Sequence, residues 1–161
     1  MKDLLINAIS SGFQGEWTHI DPMKALAGLS ASTAKKKSNS IPHSCWELLH
    51  HIVIWQDIII RQIKGEKLNW NEIEQENNWP TREVMDDDSN WWNLVTKFKQ
   101  GKEEAATLLM DGDFAKISSG FPELTTIKLY LVLLQHTSYH IGQLITIRQI
   151  LGDWPPKTSD N

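Results

Sequence analysis

The sequence predicts an all-α protein, a four-helix bundle forming a single domain over residues 1–161. Three observations carry this. Apolar residues recur at helical spacing in four separate segments. Alternating β-branched runs bounded by turn residues are missing. The length, 161 residues, suits one domain at roughly 100 to 200 residues each. Hydrophobic residues make up 40% and charged residues 22%, a globular balance and not a disordered one.

The first helix is expected over residues 2–11, with Leu5, Ala8 and Ile9 on one face, stopping before Gly12 and Gly15. A short helical turn follows Pro22 and uses Met23, Leu26 and Ala27. Residues 30–43, SASTAKKKSNSIPH, read as a solvated loop with three consecutive lysines. The second helix is announced by Ser44-Cys45-Trp46-Glu47, an S-x-x-E capping box before an apolar run; it is expected to reach Lys64 and end at Gly65. Residues 66–88 are polar and carry Trp70, Trp79-Pro80 and Asp86-Asp87-Asp88. A connection longer than about 15 residues is unusual unless it has a task, here covering one end of the bundle. The third helix starts near Ser89 with an inner stripe of Trp91, Val95, Phe98, Ala105 and Leu109, interrupted by Lys102 and weakened at Gly101. The fourth spans residues 126–151, between Pro122 and Gly152, and at 1.5 Å per residue is ~39 Å long. Four amphipathic helices without strands pack as a bundle.

Composition excludes several classes. A net charge of −4 and a pI near 5.8 argue against a nucleic-acid partner. One cysteine rules out an intramolecular disulfide and any CxxC metal site. The longest apolar stretch, residues 48–60, is broken by His50, His51, Gln56 and Asp57 and is too short to span a bilayer. The N-terminal MKDLLINAISS falls short of a signal peptide. A cytoplasmic protein with no membrane partner is the expectation.

The six histidines matter only if they converge. His136 and His140 stand four residues apart, so they lie one above the other on one helix face. At 100° per residue, Leu129, Val132, Leu133, Gln143, Leu144 and Ile147 fall within about 80° of His136, so both imidazoles point to the core. On the second helix, with His51 at the origin, Trp55 lies at about 40°, Ile58 at about −20°, Leu48 at about 60° and Ile59 at about 80°. His50 lies at about −100°, beside Asp57, Arg61 and Lys64. His51 therefore faces inward and His50 faces water. A buried imidazole with unsatisfied nitrogens loses a few kcal/mol. A divalent metal satisfies one nitrogen of each ring at once, and three neutral imidazoles bind Zn²⁺, Ni²⁺ or Fe²⁺ while leaving positions open. Core histidines satisfied by hydrogen bonds are the alternative.

The same residues resemble a family. His136-Thr137-Ser138-Tyr139-His140-Ile141-Gly142-Gln143, then Ile147-Arg148 and Leu151-Gly152-Asp153-Trp154-Pro155, is similar to the C-terminal signature of the DinB-like superfamily. His43-Ser44-Cys45-Trp46-Glu47-Leu48-Leu49-His50-His51-Ile52 resembles its second-helix motif, and Trp17-Thr18-His19 with Pro22 and Leu26 resembles a segment of one branch. The resemblance spans most of the chain. It implies a four-helix bundle with a three-histidine site for zinc or nickel, often dimeric, with His51, His136 and His140 as ligands and His50 the competitor for the first position. It also implies a metal-dependent hydrolase or a low-molecular-weight-thiol-dependent transferase acting on a small-molecule substrate. The alternative is a non-catalytic, metal-binding or stress-related dimeric bundle. The family's name implies no DNA binding.

Neighbouring residues leave the reaction open. Gln143 is one turn past His140, placed to orient a ligand or to bond another helix. Tyr139 is placed to donate to a bound species or to pack between helices. Glu47, one turn before His51, is an acceptor for that ring or only a cap. Cys45 reads as a small buried residue and not a nucleophile, and His19 sits on a loop that the pattern does not place. The Asp86–Asp88 run suits a helix N-terminus, and Lys35–Lys37 a solvated loop. Trp70 and Trp79 read as pocket walls or as core.

Overall fold

A computed structural model describes residues 1–38, 40–69, 73 and 78–156. Among these there are seven helices and no strand: α1 (Lys2–Phe13), α2 (Pro22–Leu26), α3 (Ala31–Ala34), α4 (Cys45–Lys64), α5 (Arg82–Asp86), α6 (Asp88–Asp111) and α7 (Thr126–Ile150). The protein is all-α. The four long helices are the four that the sequence predicts. Trp70 lies outside the described residues.

The local chemistry of α4 follows its sequence. The Ser44 hydroxyl accepts from the Glu47 amide while the Glu47 carboxylate accepts from the Ser44 amide, closing the capping box. The helix ends at Gly65, whose φ of 85° is the left-handed conformation that glycine adopts without a Cβ penalty. At α6, Asp87 accepts from the Ser89 amide as N-cap, the role expected of an acidic run before a helix.

Three expectations are corrected. First, α1 runs through Gly12 to Phe13, and its buried face is Ile6, Ile9 and Phe13; Leu5 and Ala8 are exposed. Phe13 ends the buried stripe because its ring meets Tyr130 edge-on, with centroids 6.4 Å apart. Second, residues 30–43 are not simply solvated. Ser30 caps α3 through the Thr33 amide, and Ala31 and Ala34 are buried. Lys35 Nζ lies 2.7 Å from Asp88 Oδ1 and above the Trp46 ring, and Lys37 Nζ lies 2.7 Å from Glu47 Oε1. Third, Val132 is exposed.

Two apolar clusters fill the interior. One, the upper cluster, joins Leu26, Leu29 and Ala31 to Trp46, Leu49 and Ile52 of α4, Trp91, Leu94 and Phe98 of α6, and Ile141, Leu144 and Ile147 of α7. The other joins Ile6, Ile9 and Phe13 to Ile59, Ile60 and Ile63, Ala105 and Leu109, and Leu129, Tyr130 and Leu133. Along α4 the first cluster comes before the second, and along α7 after it, so these helices run antiparallel. Between the clusters lies a polar waist: Trp55 and Gln56 of α4, Gly101 and Lys102 of α6, His136 and His140 of α7, with His51 at its upper edge. Gln56 donates to the Phe98 carbonyl at 3.3 Å, and its amide occupies the space that a Cβ on Gly101 would need. Gly101 is thus a packing requirement as well as a weak point in the helix. Lys102 reaches Asp21 at 3.6 Å, and burial lowers its pKa, an effect that Asp21 opposes.

Candidate metal centre

His51 of α4 and His136 and His140 of α7 meet in this waist. One ring nitrogen of each lies within 4.8 Å of the other two, and the Nε2 atoms of His51 and His136 are 3.1 Å apart. Nitrogens bound tetrahedrally at about 2.0–2.1 Å from one zinc ion stand roughly 3.3 Å apart, so this pair is already near ligand spacing. The three rings pack at angles of 44° to 79° to one another, with centroids 4.5–5.0 Å apart. The arrangement fits a metal-binding site.

Electrostatics favour the ligand form. His51 is pushed down from 6.5 to about 4, first by burial and then by the nearby charges of His140, His43 and His50. His136 is likewise pushed down to about 4, by burial and then by His140 and His51. Burial also lowers His140, against its hydrogen bond to Gln143, which raises it. Neutral imidazoles keep a lone pair for a metal.

The three rings are held differently. The His140 Nδ1–H donates to Gln143 Oε1 at 2.7 Å, which leaves the lone pair on Nε2. The Gln143 amide donates in turn to the Tyr139 hydroxyl at 3.2 Å. His51 has no such clean partner. Among the described residues its buried Nδ1 meets no acceptor of good hydrogen-bond geometry, although the Asn78 backbone lies close enough to favour a proton there. Its ring is instead stacked on Trp79, centroids 4.8 Å apart and 7° from parallel. His136 Nδ1 is buried without a hydrogen-bond partner among the described residues, and the Trp55 ring lies 6.1 Å from its ring.

The other candidates fall into place around this cluster. His50 is half-buried and borders an open groove of about 420 Å³ between α4 and α6, with Trp46, Val53 and Leu94; it is not in the cluster. His19 donates through Nδ1 to the Ile20 carbonyl and accepts through Nε2 from the Ser138 hydroxyl at 2.9 Å, tying the first loop to α7. Glu47 serves the capping box and Lys37, which with Ser44 hold its carboxyl below the usual range against the raising effect of burial. Cys45 is fully buried, donates to the Leu144 carbonyl and is pushed up to about 12 by burial, so it carries no thiolate. Tyr139 is exposed, with its ring edge-on to His140.

Two residues near the site escaped sequence reasoning in this role. Trp79 stacks on His51 and, on its other face, on His43, with centroids 3.9 Å apart and planes 4° from parallel. His43 lies just before the helix cap, where no periodicity assigns it a direction. Arg148, about two turns beyond His140 on α7, is fully buried. It donates to the Ala25 and Ala27 carbonyls at 2.7 and 2.9 Å and pairs with Asp153 at 2.8 Å, locking α2 to the end of α7.

A family model described as the DinB superfamily matches residues 16–144, which include all three converging histidines and Gln143. No curated protein and no solved structure matches the chain. No helix among the described residues is long and apolar enough to cross a membrane. With an all-α architecture, three histidines gathered between α4 and α7, and a match over most of its length, the chain belongs to the DinB superfamily.

Proposed function

We propose that His51, His136 and His140 are the ligands of one divalent metal, zinc or nickel, and that the protein is a metal-dependent enzyme. Its reaction is hydrolysis or transfer to a low-molecular-weight thiol, on a small-molecule substrate. The observation that carries this reading is the convergence of three imidazole nitrogens within 4.8 Å, in surroundings that keep the rings neutral. The chemistry a divalent ion supplies in such a site is Lewis acidity, which makes water or a thiol a better nucleophile at neutral pH. The chain's own residues do the rest. Gln143 keeps the His140 proton on Nδ1, and Tyr139 places a hydroxyl at the rim. Cys45, the chain's one cysteine, is buried and protonated, so a thiol reaction takes its thiol from solution.

Elemental mass spectrometry of untagged protein tests this. The expected result is about one metal per chain, lost in His51→Ala and His136→Ala and kept in His50→Ala. Absence of metal in the wild type after incubation with Zn²⁺ and Ni²⁺ would sink the reading. Loaded protein is then assayed for hydrolysis and thiol transfer, with His140→Ala as the inactive control.

A second reading is a non-catalytic, metal-binding or stress-related homodimer. One observation favours it: among the described residues, no carboxylate joins the three histidines as an acid or base. An exposed apolar stripe on α7, with Leu131, Val132 and Tyr139, suits a dimer face. Light scattering at the mass of two chains, with metal raising stability but no turnover in either assay, would favour this reading over the enzyme.

A further inference from the structure

We propose that Trp79 is a positioning residue for the metal centre: its indole, clamped between His43 and His51, fixes the plane of the His51 ring and shields that side of the site. This rests on the metal-ligand reading above.

A histidine metal ligand has two requirements. The ring must be oriented, and the ligand nitrogen must point at the ion. His140 meets both through Gln143. Among the described residues His51 has no equivalent hydrogen bond of good geometry, yet its Nε2 stands 3.1 Å from that of His136. What restrains it is stacking. The indole of Trp79 lies 7° from parallel to the His51 ring on one face and 4° from parallel to the His43 ring on the other. A sandwich of three parallel rings restrains rotation of the outer ones about their terminal torsions, which are otherwise broad. Trp79 is half-buried, packs against the upper apolar cluster and precedes the buried Pro80, so the plate is itself anchored. Metal loading withdraws electrons from the imidazole, and an electron-poor ring is attracted to an indole face. The stack therefore favours the loaded form.

The test is calorimetric titration of Ni²⁺ into the full-length wild type, Trp79→Ala, Trp79→Phe and His43→Ala, with circular dichroism and thermal melting of the metal-free forms. Trp79→Ala is expected to bind about tenfold more weakly or worse, with Trp79→Phe recovering most of the loss and all four metal-free forms keeping the same helical spectrum, while metal-free Trp79→Ala melts lower through its lost packing. His43→Ala, which removes the outer ring, is expected to fall between wild type and Trp79→Ala. Cu²⁺ quenching of indole emission supplies a second readout that does not depend on the alanine variant folding. The wild type should lose more emission on loading than Trp79→Phe, because the stacked indole lies against a ligand ring, 4.8 Å from that of His51. Affinity of folded Trp79→Ala within about twofold of a wild type that does bind Ni²⁺ would overturn the positioning role alone. Equal quenching in wild type and Trp79→Phe would do the same. A wild type that binds neither Ni²⁺ nor Zn²⁺ would overturn the three-histidine reading and this inference with it.

Discussion

The upper apolar cluster and the waist below it use the same helices for opposite ends. In the upper cluster Trp46, Trp91, Phe98 and Ile141 are almost completely buried, and even its buried polar atoms have partners: Trp91 Nε1 donates to the Leu29 carbonyl at 3.0 Å. In the waist, helical turns that could hold leucine hold His51, His136 and His140, and two of their ring nitrogens are buried without a good acceptor among the described residues. Burying a polar group without a hydrogen bond costs about 1–3 kcal/mol. The upper cluster is built for stability, and the waist sacrifices some of it for a set of lone pairs. A site of this kind is expected to be stabilised by its ligand more than by its own contacts.

The comparison can be broken at its strong end first. Trp91→Ala should lower unfolding free energy by about 4 kcal/mol, from lost burial, a cavity and an unpaired Leu29 carbonyl, measured by denaturant titration. A loss below about 1 kcal/mol would mean that the upper cluster is not the stabilising half. The waist should respond next, to ligand. Ni²⁺ at about 100 times its Kd should raise stability by about 2.7 kcal/mol, and His51→Ala should abolish that gain.

Acid probes the same contrast. His51 and His136 have folded values of about 4 against 6.5 unfolded, so between those limits the unfolded chain binds protons that the folded chain refuses. Stability of the metal-free protein should be level above about pH 7 and fall as pH drops from about 6.5 towards 4. The fall should be shallower in His136→Leu. A melting temperature independent of pH across that window would contradict the neutral trio.

At pH 7.5, His136→Leu should leave the metal-free protein as stable as wild type or more stable by about 1 kcal/mol, because it removes a buried Nδ1 without a hydrogen-bond partner among the described residues, while metal binding is lost. Destabilisation by more than about 2 kcal/mol would show that the histidine serves the core, as Trp91 does. The smallest effect belongs to the surface. Lys35→Ala breaks a pair with the exposed Asp88 and should cost less than about 1 kcal/mol, falling further in salt.

Much of the site was legible because helices turn side chains at a fixed angle. The i, i+4 spacing of His136 and His140 and the apolar flanks of His51 chose the same inward faces that the structure has. Ser44 and Glu47 announced the helix that carries His51 because a capping box is local. The α1 face and Val132 were misread because a narrow wheel says which arc is apolar, not where the neighbouring helices lie. Lys35 and Lys37 read as solvated because their partners, Asp88 and Glu47, are distant in sequence or on another element.

The sequence by itself determined the long helices, their caps and the side of each helix on which the three histidines stand, since all of these depend on residues within a few turns of one another. Only the tertiary structure decided how the histidines are held. Trp79 reaches His51 from a segment with no periodicity, and His43 closes the stack from outside its helix. Arg148 likewise became a buried lock once the Ala25 and Ala27 carbonyls and Asp153 converged on it. Stacking and ion pairing between distant segments depend on distances that no spacing along the chain encodes.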